Sequence, residues 1–529
     1  MKKIKNTIVC AAALCSLFFL DSCAKKSRPV ENAAKDELVL AIGGEPDEGF
    51  DPCAGWGRYG SPLFQSTLLE FNKDMQIVND LAESYSVSAD GLEWTFTIKS
   101  GVKFSDGRPL SAEDVAFTYN TTKETAGEID LSRLKEARSE GETKVIFALN
   151  EPFSAFPYTA VSLGIVAKHA YSPSYGQNPI GSGPYKFARW DKGQQLIAER
   201  NENYYGPKPA FKKLTLLFLD EDGALAAAES GLADVAMTQP SFVREIEGYS
   251  ILRCKTVDNR GVSLPSTKSG GKNAEGLAVG NDVTSDLAIR KALVYGVNRQ
   301  KIIDAAVSGY GQAAYSVCDF MPWWNAETKI KDGDAEGQKA ALEAAGWKAG
   351  PDGVREKNGV RASFELLYPA SDSLRQAIGY AFAQEARILG VEVKLSGASW
   401  DDIGRKMYSQ PVVFGWGSHS PMEVYFLYSS KVATSGYNNI TNVSNKKVDA
   451  YMEAALTALT EEEANLNWKK AQWDGETGFS NLGDATWCWI ANIEHLYFAR
   501  SGLDTGNQRI HPHGHGFPVI SNIKEWKFK

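Results

Sequence analysis

Apolar Trp94, Phe96 and Ile98 alternate with polar Thr95, Thr97 and Lys99, the period-two pattern of a strand with one wet face. Turn chemistry brackets this run, Ser88-Ala89-Asp90-Gly91 before it and Asp106-Gly107 after it. At Ser111 the period changes. Ser111 stands three residues before Asp114, the spacing of an N-cap with an acidic first turn, and Ala112, Val115, Ala116 and Tyr119 follow at helical intervals. Each charged side chain between residues 94 and 117 then has a local structural task, so the stretch predicts scaffold and not a catalytic site.

The same patterning predicts elements along most of the chain. "ELVLAIGGEP" (37–46) reads as a first strand. Residues 212–238 read as strand, helix and a second strand entering at Asp234. Residues 284–311 read as helix, with Leu287, Ala288, Lys291, Ala292, Tyr295 and Gly296 along one face. "SFELLYPA" (363–370), a helix from Leu374 to Leu389 and "VEVKLSGAS" (391–399) predict a β-α-β unit, hence parallel strands covered by helices. No fixed repeat period appears. The polar run "PSTKSGGKNAEG" (265–276) is the best candidate boundary between two halves.

A length of 529 residues implies two or three domains, and a chain 43% hydrophobic and 23% charged has the balance of a globular protein. With a net charge of −8 and no long Lys/Arg run, nucleic acid is a poor partner. The N-terminus joins Lys2, Lys3 and Lys5 to an apolar run from Ile8 to Leu20, too short for an ordinary membrane span and suited to a signal peptide over residues 1–22. Leu20-Asp21-Ser22-Cys23 resembles a bacterial lipobox, Asp21 being its one departure. Cys23 is thereby the expected acylated residue, with 23–36 as a lipid-anchored tether. Cys53, Cys254, Cys318 and Cys488 are widely spaced without a C-x-x-C pair, which excludes zinc-ribbon and thioredoxin readings and leaves any disulfide pairing open.

Catalytic signatures are missing from the sequence: no G-x-S-x-G elbow, no H-E-x-x-H, and no phosphate loop, because "STKSGGKN" lacks the first Gly and the closing Ser/Thr. "DPCAGWGRYGSP" (51–62) contains G-x-G-x-x-G, but Asp51-Pro52 precedes it and Pro62 follows, so neither the strand nor the helix of a dinucleotide fingerprint fits. "RIHPHGHGFPVI" (509–520) holds half of the six histidines. His511, His513 and His515 alternate, which in extended geometry sets all three on one side, and neutral imidazoles suit nickel, copper and zinc.

The order of segments resembles the extracytoplasmic solute-binding proteins of ABC importers, in the oligopeptide- and nickel-binding family (family 5). "GVKFSDGRPLSAEDV" (101–115), "GSGPYKFARW" (181–190), "ERNENYYGPKPAFKKLTL" (199–216), "LAIRKALVYGVNRQKII" (287–303), "ALEAAGWK" (341–348) and "ILGVEVKL" (388–395) carry the resemblance. It implies an α/β, two-lobe periplasmic-binding-protein-like fold of class II. The first lobe would comprise 37–279 plus 494–529, with an inserted subdomain at about 70–178, and the second lobe 280–493. Closure over solute then serves a membrane permease and its ATPase subunits. The expected protein is a monomeric, lipid-anchored, extracytoplasmic receptor without chemistry of its own and with no required cofactor.

Within that resemblance, "FGWGSHSPMEVYFLYSS" (414–430) falls at the second-lobe ligand loop, and Trp416 takes the place of a Trp that walls the cleft. Peptide-binding members place an Asp a few residues on, for the ligand's ammonium group; here the loop offers His419 and Glu423. The loop 51–62 falls at the cleft rim, bringing Trp56, Arg58 and Tyr59 toward ligand. The C-terminal segment returns to the cleft, where some nickel-binding members use a histidine, so His513 and His515, with His511 beside them, become candidate ligands of a metal chelate. One or two protein imidazoles need a small chelator such as histidine to complete the metal shell. A nickel or other divalent chelate is favoured, and an oligopeptide or dipeptide is the alternative.

Overall fold

The computed structural model describes residues 35–47, 49–125 and 129–529. The signal peptide, Cys23 and the tether up to residue 34 lie outside the described residues. The predicted first strand forms at Glu37–Gly43 and buries Leu38, Leu40 and Ala41 completely. It pairs in parallel with Lys213–Phe218 on one side and Val235–Thr238 on the other, the two strands that flank the helix Glu221–Glu229. Asp220 starts that helix by accepting the Gly223 N–H at 2.8 Å. A seven-stranded sheet results, in the order Tyr249–Cys254, His495–Arg500, Val235–Thr238, Glu37–Gly43, Lys213–Phe218, Gln195–Arg200, Tyr185–Asp191.

A four-stranded sheet of Gly311–Ala313, Trp487–Ile493, Asn259–Ser263 and Val413–Trp416 organises the other half. The β-α-β unit forms as read, Ser363–Pro369 parallel to Glu392–Ala398 under the helix Ser373–Ile388. A parallel bridge from Leu367 to Val412 joins it to the four-stranded sheet. Mixed α/β architecture in two lobes is therefore the fold class.

Two readings need correction. The helix expected over 284–311 is two helices, Leu287–Gly296 and Arg299–Val307. Val297 is extended, and Asn298 caps the second helix by accepting the Lys301 N–H at 3.0 Å. The boundary drawn at 279 also moves. The chain leaves the seven-stranded sheet after Cys254 and enters the four-stranded sheet at Asn259, and it returns between Ile493 and His495. The polar run 265–276 folds instead into a small hairpin, Gly271–Lys272 with Ala278–Val279. Its turn-forming composition marks a surface ribbon.

The 94–117 stretch is scaffold: Glu93–Ile98 sits inside a second four-stranded sheet with Ala82–Val87, Lys144–Leu149 and Leu134–Glu140. The helix Ala112–Glu124 follows, with the Ser111 N–H donated to the Asp114 carboxylate at 3.0 Å. This sheet's core continues into the second half, where Tyr158 meets Trp323 edge-on at 5.3 Å and the Ser154 N–H donates to the Leu456 carbonyl at 2.8 Å. Cys53, Cys254, Cys318 and Cys488 are all buried free thiols, so none of them pairs.

Candidate functional site

Adjoining cavities of about 630, 510 and 310 Å³ run along the junction of the two halves. The first two share Arg375 and Trp400; the second and third share Tyr59, Trp416, Ser418, Glu423 and Tyr437. This is the concave, mixed polar and aromatic surface that small solutes occupy.

On the second-lobe side the wall is aromatic. Trp416 ends the strand Val413–Trp416, and its ring lies 6.0 Å from Phe414, which contacts Trp400 at 5.8 Å and Tyr437 at 6.0 Å. Trp400 and Tyr437 stay 43% and 45% exposed, an unusual amount for such rings and one that a solute would cover. Arg375 lies 5.8 Å from the Trp400 ring and binds Asp372 through Nη1. The Nε donors of Arg375 and of the nearby Arg260 are buried without a partner. Both guanidiniums line the 630 Å³ cavity, which favours a carboxylate-bearing or otherwise anionic guest.

Glu423 faces the same space but has other work. Its two oxygens accept the Gly417 and Ser418 N–H groups, each at 3.0 Å, which folds the loop after Trp416. Burial pushes its carboxyl up to about 7, against those bonds. His419 is half-buried, edge-on to Phe71 at 5.4 Å, with Nε2 unpartnered. Burial and then the Arg509 charge lower it to about 3, so the imidazole is neutral. It borders the 310 Å³ cavity from behind the loop.

The first-lobe side is made of loops. Arg58 stacks on Tyr59 at 4.5 Å, and Tyr59 lies 5.3 Å from His515. Trp56 is a correction. Its ring is 9% exposed, packed edge-on against Phe50 at 4.9 Å and Phe517 at 5.9 Å, and Nε1 donates to the Pro62 carbonyl at 2.7 Å. It holds the loop to the first-lobe core, where a large ring gains more from burial than at a rim.

The histidine segment is bent, not extended, so the expected common face of the three imidazoles is not formed. Pro512 and Gly514 interrupt the alternation. His513 and His515 line the 510 Å³ cavity with ring centroids 4.9 Å apart. His511 turns away, 1% exposed, between His495 Nδ1 and Gln508 Oε1, each at 3.2 Å. Burial holds it well below the usual histidine range. His515 is lowered too, by burial and then by His513 and Arg58, leaving a neutral imidazole at the cavity. His513 Nδ1 is tied to the Asp258 carboxylate, which fixes one ring nitrogen and leaves Nε2 as the other.

Asp258, Arg260, Arg375, Trp400 and Tyr437 were not anticipated. Asp258 is 3% exposed, and burial alone would raise it. Arg260 and the hydrogen bonds from His495 and His513 outweigh burial and hold it well below the usual carboxylate range. Among the described residues, no group of three or more His, Cys, Asp or Glu is arranged to hold a metal ion.

The family model described as "Bacterial extracellular solute-binding proteins, family 5 Middle" matches residues 76–438. Protein XP55 of Streptomyces lividans is 32% identical over 483 residues, 88% of this chain and 85% of its own length. The oligopeptide-binding protein AppA of Bacillus subtilis is 25% identical over 499 residues, 86% of this chain and 88% of its own. Among solved structures, NikZ from Campylobacter jejuni in complex with Ni(L-His) superposes with a TM-score of 0.72 at 25% identity, covering 93% of this chain and 99% of NikZ.

Proposed function

This chain belongs to the bacterial extracellular solute-binding proteins of family 5, and from that premise we propose that it captures a chelated divalent metal, nickel in first place, between its lobes. The solute passes unaltered to the permease and ATPase subunits of an ABC importer. The protein acts outside the cytoplasm as a monomer, held to a bacterial membrane by acylated Cys23.

One observation carries the ligand class: His513 and His515 share a cavity, and the carboxylate of Asp258 fixes the Nδ1 side of His513. A carboxylate behind an imidazole is the usual support of a metal-binding histidine. The pair supplies too few donors for a bare ion, which suits a metal arriving with a small chelator. The Arg260 and Arg375 guanidiniums on the adjoining cavity suit that chelator's carboxylates. Likeness to a NikZ structure holding Ni(L-His) supports the same direction.

Peptides are the second reading, favoured by the cleft's continuation past Trp416 into the cavity lined by Phe153, Tyr158 and Phe426. Against it, Asp372 is engaged by Arg375 and Glu423 by two backbone amides, which leaves a peptide's ammonium group poorly served.

Calorimetry separates them. Nickel chloride with L-histidine binds the wild type saturably, and the double variant His513→Ala, His515→Ala loses about a hundredfold or more in affinity, at least the loss that a supporting residue of a metal ligand commonly causes. Tight binding of a dipeptide mixture, indifferent to chelators and to both substitutions, would remove the metal reading.

A further inference from the structure

The chain passes between its two main sheets through Lys255–Asp258 and through Glu494, and a third segment, His511–His513, lies against both. The Thr256 hydroxyl donates to the Ile493 carbonyl at 2.6 Å, and the Ile493 N–H donates to the Asp258 carbonyl at 2.8 Å. The His511 N–H donates to the Lys255 carbonyl at 2.8 Å, and the Val257 N–H returns to the His511 carbonyl at 2.9 Å. From the same segment the His513 N–H reaches the Gly417 carbonyl at 2.7 Å, on the loop that follows Trp416. The hinge is thus a three-segment lace whose outer end touches the solute loop of the second lobe.

The Asp258 side chain sits in the middle of the lace. One oxygen receives His513 Nδ1, the other His495 Nε2 at 3.3 Å, and the Arg260 guanidinium bridges both. These partners belong to different parts. His495 opens the strand after the second crossing, Arg260 lies on the second-lobe strand Asn259–Ser263, and His513 faces the cavity.

We propose that Asp258 is a positioning residue that couples the solute-facing imidazole of His513 to both hinge crossings, so that orienting His513 and closing the lobes are one event. The proposal rests on the reading of the cleft as a closing solute site. A carboxylate offers about four acceptor positions on two equivalent oxygens, enough for all three partners at once. An amide in its place keeps one acceptor oxygen and turns a donor toward a guanidinium or an imidazole N–H. Opening the hinge turns the crossing strand that carries Asp258, and the His513 ring bonded to it turns with that strand.

A double-mutant cycle with Asp258→Asn, His513→Ala and the pair distinguishes this from a role in merely neutralising Arg260. The probe is nickel chloride with L-histidine. Coupling predicts a tenfold or greater loss of affinity for Asp258→Asn, and a double variant no weaker than His513→Ala alone. Hydrogen exchange of the solute-free protein supplies the second readout, with faster exchange at the Ile493 and His513 amides in Asp258→Asn. Losses that add, or exchange equal to wild type at both amides, overturn the coupling. Should Asp258→Asn not fold, His495→Gln cuts the link from Asp258 to the second crossing, together with the contact to His511, and leaves the bond to His513 in place; it must weaken binding several-fold and accelerate Ile493, and wild-type behaviour in both contradicts the proposal. If the wild type ignores nickel–histidine altogether, the metal reading fails and the exchange arm alone decides the coupling.

Discussion

The loop Trp416–Glu423 and the loop Arg509–Pro518 meet through the His513 N–H and the Gly417 carbonyl at 2.7 Å, yet they are held by different means. The first is tied from within: Glu423, in the first turn of the helix Met422–Tyr428, caps the amides of Gly417 and Ser418. The second is tied from outside, by Asp258 on the His513 ring and by the backbone of Lys255 and Val257 on His511. A self-tied loop keeps its shape whatever the hinge does. A hinge-tied loop must move with the crossing strands. On the proposed reading, the aromatic second-lobe wall is the preformed half of the site, and the histidines are the half that closure would deliver.

Glu423→Gln should show the largest effect on the self-tied side. The carboxyl is raised from 4.5 to about 7, so the folded state holds its proton over a window where the unfolded state releases it. Its contribution is therefore an increasing penalty as pH rises from about 4.5 to about 7, on the order of 3 kcal/mol in total. Denaturant titrations from pH 4 to 8 should find that slope shallower in the glutamine variant, with buried Asp319, also raised to about 7, keeping its own share. An unchanged slope would mean that Glu423 is not the group held protonated.

Gly417→Ala attacks the contact between the loops, with a smaller expected effect. Gly417 has φ +151°, and a Cβ there would lie 2.5 Å from the Val257 carbonyl oxygen and 3.0 Å from the His513 nitrogen. The methyl group pushes the hinge strand and the histidine loop off the tryptophan loop, so affinity for nickel–histidine should fall about tenfold, the equivalent of about 1.4 kcal/mol. Binding equal to wild type would show that the two loops need not touch in the occupied state.

The strands and helices were readable because their residues interact locally. Trp94, Phe96 and Ile98 alternate, Asp220 and Ser111 stand at helix starts, and both signals survive whatever the tertiary context. The hinge was not readable, because crossing from one sheet to another costs the chain no special composition. Lys255–Asp258 looks like any strand connection, while the Gly- and Lys-rich run 265–276 advertised a break it does not make. At the site, Trp416 and the histidine segment stood out by type, yet their neighbours decided what each could do. Pro512 and the bend at Gly514 took His511 out of the cavity, and Phe50 and Phe517 drew Trp56 into the core. Asp258 and Arg375 carry no motif at all. Only the "DNR" run beside a strand start, with a charge expected to be buried, could have hinted at Asp258.

Small-angle X-ray scattering of the soluble protein lacking its first 22 residues, with and without nickel chloride plus L-histidine, tests lobe closure most directly. Closure predicts a smaller radius of gyration in the presence of the chelate, restored when a stronger chelator removes the metal. Saturable binding with superimposable scattering curves would contradict it.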